Sequence, residues 1–140
     1  MMKYFEVGVR YDKTLENGVT KPVTELFVVN AVSFTECEKI ITQAMQPYIS
    51  GDFEVVKESI TKIAEIVQTE DAAADRYYLV KFMFIAIDER TAKEKRTAVF
   101  HLVQAKDFDD AKRRAAENMN DTMADWEIDT IKETKYLDVY

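Results

Sequence analysis

The chain has 140 residues, of which 47% are apolar, and it contains only three glycines and two prolines. This length fits one compact domain over residues 1–140, and the apolar content excludes an intrinsically disordered or low-complexity chain. The net charge of −7 argues against a domain that binds nucleic acid through general attraction to phosphates.

The first half begins with a predicted β-hairpin. Apolar and polar residues alternate over residues 4–11, which is typical of a half-buried strand. Asn17 and Gly18 form a turn signal because both residues tolerate positive φ. Residues 23–31 are therefore predicted to return as the second strand.

A helix is predicted directly after this hairpin. Ser33 and Glu36 have the spacing of a capping box, in which each residue satisfies a free N–H group at the helix start. Apolar residues then recur with a helical period and form one stripe: Phe34, Cys37, Ile40, Ile41, Ala44, Met45 and Tyr48.

The last segment of the first half is ambiguous. Apolar residues between positions 56 and 67 also fit a helical stripe. The matching segment 126–140 does not fit one and is rich in Thr, Ile, Tyr and Val, which favour strands. Because related halves share their elements, we predict one strand in each segment.

The second half repeats the same order of elements. Residues 77–87 form a nearly unbroken apolar run, which indicates a strand covered on both faces. A turn around residues 90–94 leads into a strand over 97–105. Asp107 is predicted to cap a second helix, whose apolar stripe consists of Phe108, Ala111, Ala115 and Met119.

The two halves are also related in sequence. Val29 and Phe34 recur 74 positions later as Val103 and Phe108, and residues 52–55 recur 73 positions later. We predict a tandem duplication of a strand-strand-helix-strand unit, with repeats at about 3–68 and 76–140. The predicted fold is α+β, with antiparallel sheets and two helices related by a pseudo-twofold axis. Six strands in one sheet or in two are both compatible with the pattern.

Few residues show a pattern typical of catalysis. His101, the single histidine, has no sequence neighbour that would orient or use it. Asp107, Asp109 and Asp110 fit the start of a helix better than a calcium loop. The sequence also contains no glycine-rich phosphate loop and no spacing typical of metal ligands. We therefore expect no enzyme, no catalytic residue, no metal and no other cofactor.

Cysteine content and hydropathy bear on the cellular setting. Cys37 is the single cysteine, so the chain can form no internal disulfide, and its place on an apolar stripe favours a small buried side chain. No apolar run approaches the roughly 18 residues of a membrane helix, and the N-terminus lacks the apolar segment of a signal peptide. We expect a cytoplasmic protein without a membrane partner.

The densest basic cluster lies at the tip of the second predicted hairpin and consists of Arg90, Lys93, Lys95 and Arg96. A solvated loop is the simplest interpretation. The alternative is a contact for single-stranded nucleic acid, with nearby aromatic rings stacking on bases. Those rings lie in the apolar run, which favours a place in the core: Tyr77, Tyr78, Phe82 and Phe84.

Three segments, at residues 9–18, 29–36 and 122–128, resemble a known family. It is an uncharacterised family, a domain of unknown function, in small proteins of Bacteroides-type bacteria and their phages or mobile elements. The resemblance covers nearly the whole chain and implies a bacterial cytosolic setting. It transfers no functional residue, because the family has no established activity.

A duplicated scaffold without a catalytic pattern favours a non-enzymatic binding or adaptor protein. Its partner would be a protein or small ligand, held between the repeats or on the outer face of the sheet. The alternative function is single-stranded nucleic-acid binding through the hairpin tip at residues 90–96. We expect a monomer or a homodimer.

Overall fold

The structure is a computed structural model that describes residues 2–140, so the first residue of the predicted domain lies outside it. The described residues form an α+β fold, as predicted. Its elements follow one another along the chain as β1 (Lys3–Thr14), β2 (Thr20–Ala31), α1 (Phe34–Tyr48), β3 (Phe53–Ile60), β4 (Ile63–Val67), β5 (Arg76–Ile87), β6 (Glu94–Ala105), α2 (Phe108–Asn118), β7 (Asp125–Glu133) and β8 (Tyr136–Val139).

The chain divides into two units, each with one four-stranded sheet. Unit 1 ends at Thr61 and resumes over Lys135–Tyr140, whereas unit 2 is Lys62–Thr134. The strand order is β3-β1-β2-β8 in unit 1 and β4-β6-β5-β7 in unit 2. These orders are equivalent, as a duplication predicts. The pseudo-twofold packing of the repeats stays a prediction.

The prediction of a single third strand in each half is wrong, because each predicted strand is two strands in different sheets. Both the N–H and the hydroxyl of Thr61 donate to the Tyr4 carbonyl, at 2.9 and 2.8 Å. Thr134 makes the same two bonds to the Tyr77 carbonyl, at 2.9 and 2.7 Å. Beyond each threonine the chain joins the other unit, where β4 and β8 pair parallel to their neighbours. The sheets are therefore mixed rather than wholly antiparallel.

Strand β8 is short, but several hydrogen bonds hold it in unit 1. The Tyr136 hydroxyl donates to Glu6 Oε1 at 2.5 Å, which connects β8 to β1 across the intervening strand. The last residue exchanges two backbone bonds with β2, from Asn30 N to the Tyr140 carbonyl and from Tyr140 N to the Val28 carbonyl, each 2.8 Å.

Both predicted hairpins are present, with strands longer than predicted. In the first turn Gly18 has φ of 84°, as the Asn-Gly signal indicates. A register shift follows Gly8 in β1, and an equivalent shift follows Lys81 in β5. At Gly8 the sheet leaves little room, because a Cβ there would lie 3.2 Å from Lys57 Cβ.

Each helix begins at its predicted cap and covers one face of its own sheet. Ser33 Oγ accepts from Glu36 N at 3.1 Å, and Asp107 Oδ1 accepts from Asp110 N at 2.8 Å. In unit 1 the fully buried side chains between α1 and the sheet include Phe5, Val7, Val9, Phe27, Ile41 and Met45. In unit 2 the main core cluster is Val80, Phe82, Val103, Ala115 and Met119.

The cores of the two units differ in polarity at one position of their third strands. Val7 pairs with Glu58 in unit 1, whereas the equivalent Val80 pairs with Ile131 in unit 2. Glu58 Oε1 is buried and has no hydrogen-bond partner among the described residues. Burial raises the pKa of Glu58 and the nearby Glu38 raises it further, while the Cys37 thiol opposes the shift.

A buried carboxylate stabilises the first turns of helix α2 through hydrogen bonds. Asp110 Oδ2 accepts from Lys106 N at 3.1 Å and from Arg114 Nε at 2.9 Å, while Oδ1 accepts from Arg113 Nη2 at 2.6 Å. The Lys106 N–H, followed by Arg114 and Arg113, lowers the pKa of Asp110 to about 2. The acidic helix start thus includes one buried carboxylate, which two arginines of the same helix pair with.

We expect Asp110→Asn to lower the free energy of unfolding by about 2 kcal/mol at pH 7, because charge-assisted hydrogen bonds are lost. A carboxyl whose pKa falls on folding stabilises the protein above its unfolded pKa, and that stability is lost as the pH falls toward 2. In urea unfolding, the difference in the free energy of unfolding between variant and parent should therefore narrow below pH 4. The control is Asp109→Asn, an exposed neighbour, and an equal loss there would contradict the prediction.

We expect Glu58→Gln to stabilise the protein at pH 7. A carboxyl whose pKa rises on folding destabilises the folded state once the pH exceeds the unfolded value of 4.5, and the amide removes the buried charge. The melting temperature, followed by circular dichroism, should rise by about 2–4 °C at pH 7. This increase in melting temperature should disappear near pH 4.

The control for Glu58→Gln is Glu54→Gln, at an exposed position of the same strand. Its melting temperature should stay within about 1 °C of the parent at both pH values, as is usual for surface substitutions. A gain from Glu58→Gln that is the same at pH 4 and pH 7 would contradict the electrostatic cause.

Candidate functional site

The basic hairpin tip lies between β5 and β6, where the sequence predicts it. Arg90 and Lys93 are exposed in the loop, and Lys95 and Arg96 lie at the start of β6. Arg96 has acidic partners: its guanidinium pairs with Glu127 and lies 3.5 Å from Glu94 Oε1. Three of the four predicted cations thus have no ion pair within the described residues.

The tip carries acidic residues among its basic ones. Residues 88–96 contain four basic and three acidic side chains, so the local charge is only +1. Asp88 Oδ1 also accepts from Arg90 N at 2.8 Å. Of the nearby rings, Tyr77, Tyr78 and Phe82 are buried and offer no stacking face to a base, and the partly buried Phe84 packs against the unit 2 core. A nucleic-acid contact at the tip stays a prediction.

His101 has an acidic neighbour that sequence inspection misses. It is 5% exposed, and its ring centroid lies 4.9 Å from that of Phe82. Its Nε2 lies 3.6 Å from Glu65 Oε2, because β4 pairs in parallel with β6 and sets the two residues side by side. Burial lowers the pKa of His101 and Glu65 partly opposes this, so the ring is neutral at pH 7.

Cys37 is a fully buried core side chain, as predicted. Burial raises the pKa of its thiol to about 12, and the charge of Glu58 adds to the shift. The thiol is therefore protonated at neutral pH and is a poor nucleophile in this environment.

Within residues 2–140, no group of three or more His, Cys, Asp or Glu side chains has an arrangement that could hold a metal ion. Neither of the two described helices has the length and apolar character needed to cross a membrane.

An open groove of about 350 Å³ lies at one end of the unit 1 sheet. Its charged lining comes from four side chains: Arg10, Asp12, Asp52 and Glu54. Its remaining lining is Tyr11, Phe53 and Pro22. Sequence inspection misses this groove, because its residues come from β1, β2 and the start of β3 with the preceding Asp52, and they become neighbours only through the pairing of β1 with β2 and β3.

The ring of Tyr11 is held firmly by hydrogen bonds between the unit 1 sheet and α1. Its hydroxyl donates to Glu25 Oε1 at 2.6 Å, and the Tyr48 hydroxyl donates to the same oxygen at 3.2 Å. Lys13 Nζ lies 3.4 Å from the other oxygen of Glu25. Burial and the Glu25 carboxylate both raise the pKa of Tyr11, so the hydroxyl stays protonated. The ring therefore lies on the face of the sheet that α1 covers, whereas the neighbouring Arg10 and Asp12 side chains alternate to the opposite face.

The charges of the groove are not neutralised by ion pairs. Arg10, Asp12, Asp52 and Glu54 are not within ion-pair distance of an opposite charge among the described residues. Arg10 and Glu54 are cross-strand partners, yet their side chains do not meet. The arrangement can bind a polar ligand without first breaking an internal salt bridge.

Comparison with known proteins supports the resemblance of the three segments at 9–18, 29–36 and 122–128. The searches of curated proteins and of solved structures each gave no match. Over residues 3–140 the chain matches the family described as a domain of unknown function, DUF4494, and it belongs to that family.

Proposed function

We propose that the chain is a non-enzymatic binding protein and that the groove at the end of the unit 1 sheet is its ligand site. The observation that carries this proposal is the groove lining, where four charged side chains converge without an ion pair among the described residues. Concave sites with a few convergent polar groups are typical ligand sites.

The chemistry elsewhere in the chain supports a binding role over a catalytic one. The Cys37 thiol is protonated and buried, and His101 has little contact with solvent. A general base needs to reach the proton that it removes, which a side chain 5% exposed does not do in this conformation. The bacterial, cytoplasmic and mobile-element setting implied by the resemblance belongs to the same proposal.

Binding can be tested by NMR on the full ¹⁵N-labelled chain. We expect a mixture of small charged and aromatic compounds and short peptides to shift the amide signals of residues 10–12, 22–24 and 52–54. Asp52→Asn should weaken the response, whereas Asp125→Asn, at the equivalent exposed position of unit 2, should not. Shifts confined to other regions, or no shifts at all, would overturn the proposed site.

Nucleic-acid binding at the hairpin tip is the second candidate, because Arg90, Lys93 and Lys95 have no ion pair among the described residues. If it is correct, affinity for a single-stranded oligonucleotide should fall steeply as salt rises. It should also fall when these three residues are changed to Gln, and much less when Arg96, already paired, is changed. No binding by fluorescence anisotropy at low salt would exclude this candidate.

A further inference from the structure

We infer that protonation of His101 releases strand β4 from the edge of the unit 2 sheet, so that this edge opens in mildly acidic solution while the rest of the unit stays folded. The groove of unit 1 takes no part in this opening, which therefore goes beyond the proposed function. Three features support it: the surroundings of the His101 ring, the place of β4 in the sheet, and a difference between the two repeats.

The His101 ring has a polar neighbour at one nitrogen only. The residue is 5% exposed, and its Nε2 lies 3.6 Å from Glu65 Oε2 on β4. Its Nδ1 is buried and has no hydrogen-bond partner among the described residues. A neutral ring can leave Nδ1 without a proton, whereas the protonated ring carries an N–H on both nitrogens. Protonation would therefore place a donor without an acceptor inside unit 2, which is unfavourable.

The other elements packed around the ring offer it no counter-charge. Strand β5 contributes the cross-strand partner Val80 and the ring of Phe82, whose centroid is 4.9 Å away. Helix α2 covers this face of the sheet with apolar side chains, and its half-buried Arg114 pairs with carboxylates of α2 and of the preceding loop. Within residues 2–140, Glu65 is the charged group that acts on the ring. Its side chain is 52% exposed, so water weakens its attraction for an imidazolium.

The closed form of unit 2 therefore binds a proton at His101 less tightly than a form in which the ring is solvated. Burial lowers the pKa of His101 from its ordinary value of 6.5, and Glu65 opposes this only in part. A group whose pKa falls when it is buried in the neutral state stabilises the closed form above its ordinary value. That stability is lost as the pH falls below this value, so acid favours the open form.

Strand β4 is the element whose release would expose the ring. The order β4-β6-β5-β7 makes β4 an edge strand beside β6, and its five residues, Ile63–Val67, pair with β6 in parallel. Strand β6, in contrast, also pairs with β5 along its whole length. Loss of β4 would make β6 the new edge and bring His101 to solvent. Short elements with few neighbours are the ones that open locally while the rest of a domain stays folded.

Unit 1 provides a comparison within the same chain. Val80 pairs with His101 in unit 2, and the equivalent Val7 pairs with Phe27 in unit 1. Phe27 is 1% exposed, and β8 lies beside its strand as β4 lies beside that of His101. A phenyl ring cannot take up a proton. Strand β8 should therefore stay in its sheet at the acidic pH that releases β4.

The test is amide hydrogen exchange of the full ¹⁵N-labelled chain, followed by NMR at pH 7.5 and pH 5.0. Protection factors correct for the pH dependence of the exchange chemistry itself, so they report the opening equilibrium of each strand. For a ring that has a pKa of 6.5 when β4 is open and stays neutral when it is closed, the protection of the β4 amides should fall by up to about thirtyfold. The amides of β8 should show no such fall.

Two variants address the mechanism directly. His101→Phe, which copies unit 1, should remove the pH dependence of β4 protection, and His101→Gln serves the same purpose if the phenylalanine variant does not fold. Glu65→Gln should enlarge the acid effect, because the carboxylate that favours the protonated ring is gone. Glu70→Gln, at an exposed position beyond the end of β4, is the matched control and should leave the effect unchanged. Circular dichroism confirms the folding of each variant.

Three results would overturn the inference. Equal protection of the β4 amides at pH 7.5 and pH 5.0 would show that acid does not release the strand. An equal loss of protection in β8 of the parent chain would indicate a general acid effect on both units. A loss in β4 that persists in the His101 variant would assign the effect to other groups.

Discussion

Each sheet of this protein is completed by a strand from the other half of the chain, and two threonines set the point of exchange. Thr61 and Thr134 each use a backbone N–H and a hydroxyl to bind one carbonyl at the start of the first strand of their repeat. Because each threonine binds that carbonyl with two donors, the antiparallel ladder ends there. The strand that follows is then free to pair in parallel elsewhere, and both parallel edges depend on this.

The same scaffold carries different chemistry in its two copies. In unit 2 the apolar Ile131 packs in the core at the position equivalent to Glu58, and Arg96 forms an ion pair with Glu127. Unit 1 has a partly buried carboxylate at Glu58 and an unpaired one at Glu54. Burial of the Glu58 carboxylate costs stability, whereas the exposed Glu54 is solvated. The two copies thus differ in polarity both inside the core and at the surface.

Local chemistry made much of the fold predictable. Both helix caps, the Asn-Gly turn and the repeat itself depend on residues close in sequence, and all are present. The split of each third strand was not predictable, because alternation does not say which sheet a strand joins. The groove and the Glu65–His101 contact were not predictable for the same reason, since each depends on strand pairing between residues far apart in sequence. His101 has its carboxylate neighbour only because β4 crosses into unit 2.

Strand exchange also bears on how such a chain could arise. A lone repeat has three paired strands and a fourth that leaves its own sheet, so it would be complete only as a homodimer with reciprocal exchange. Joining the two copies in one chain turns that assembly into an intramolecular one, with a high effective concentration of each fourth strand. It also allows the two copies to acquire different residues at equivalent positions. A symmetric dimer must carry two identical surfaces, whereas a fused pair can form the Arg96–Glu127 ion pair in one copy and place Pro22 at the equivalent position of the other.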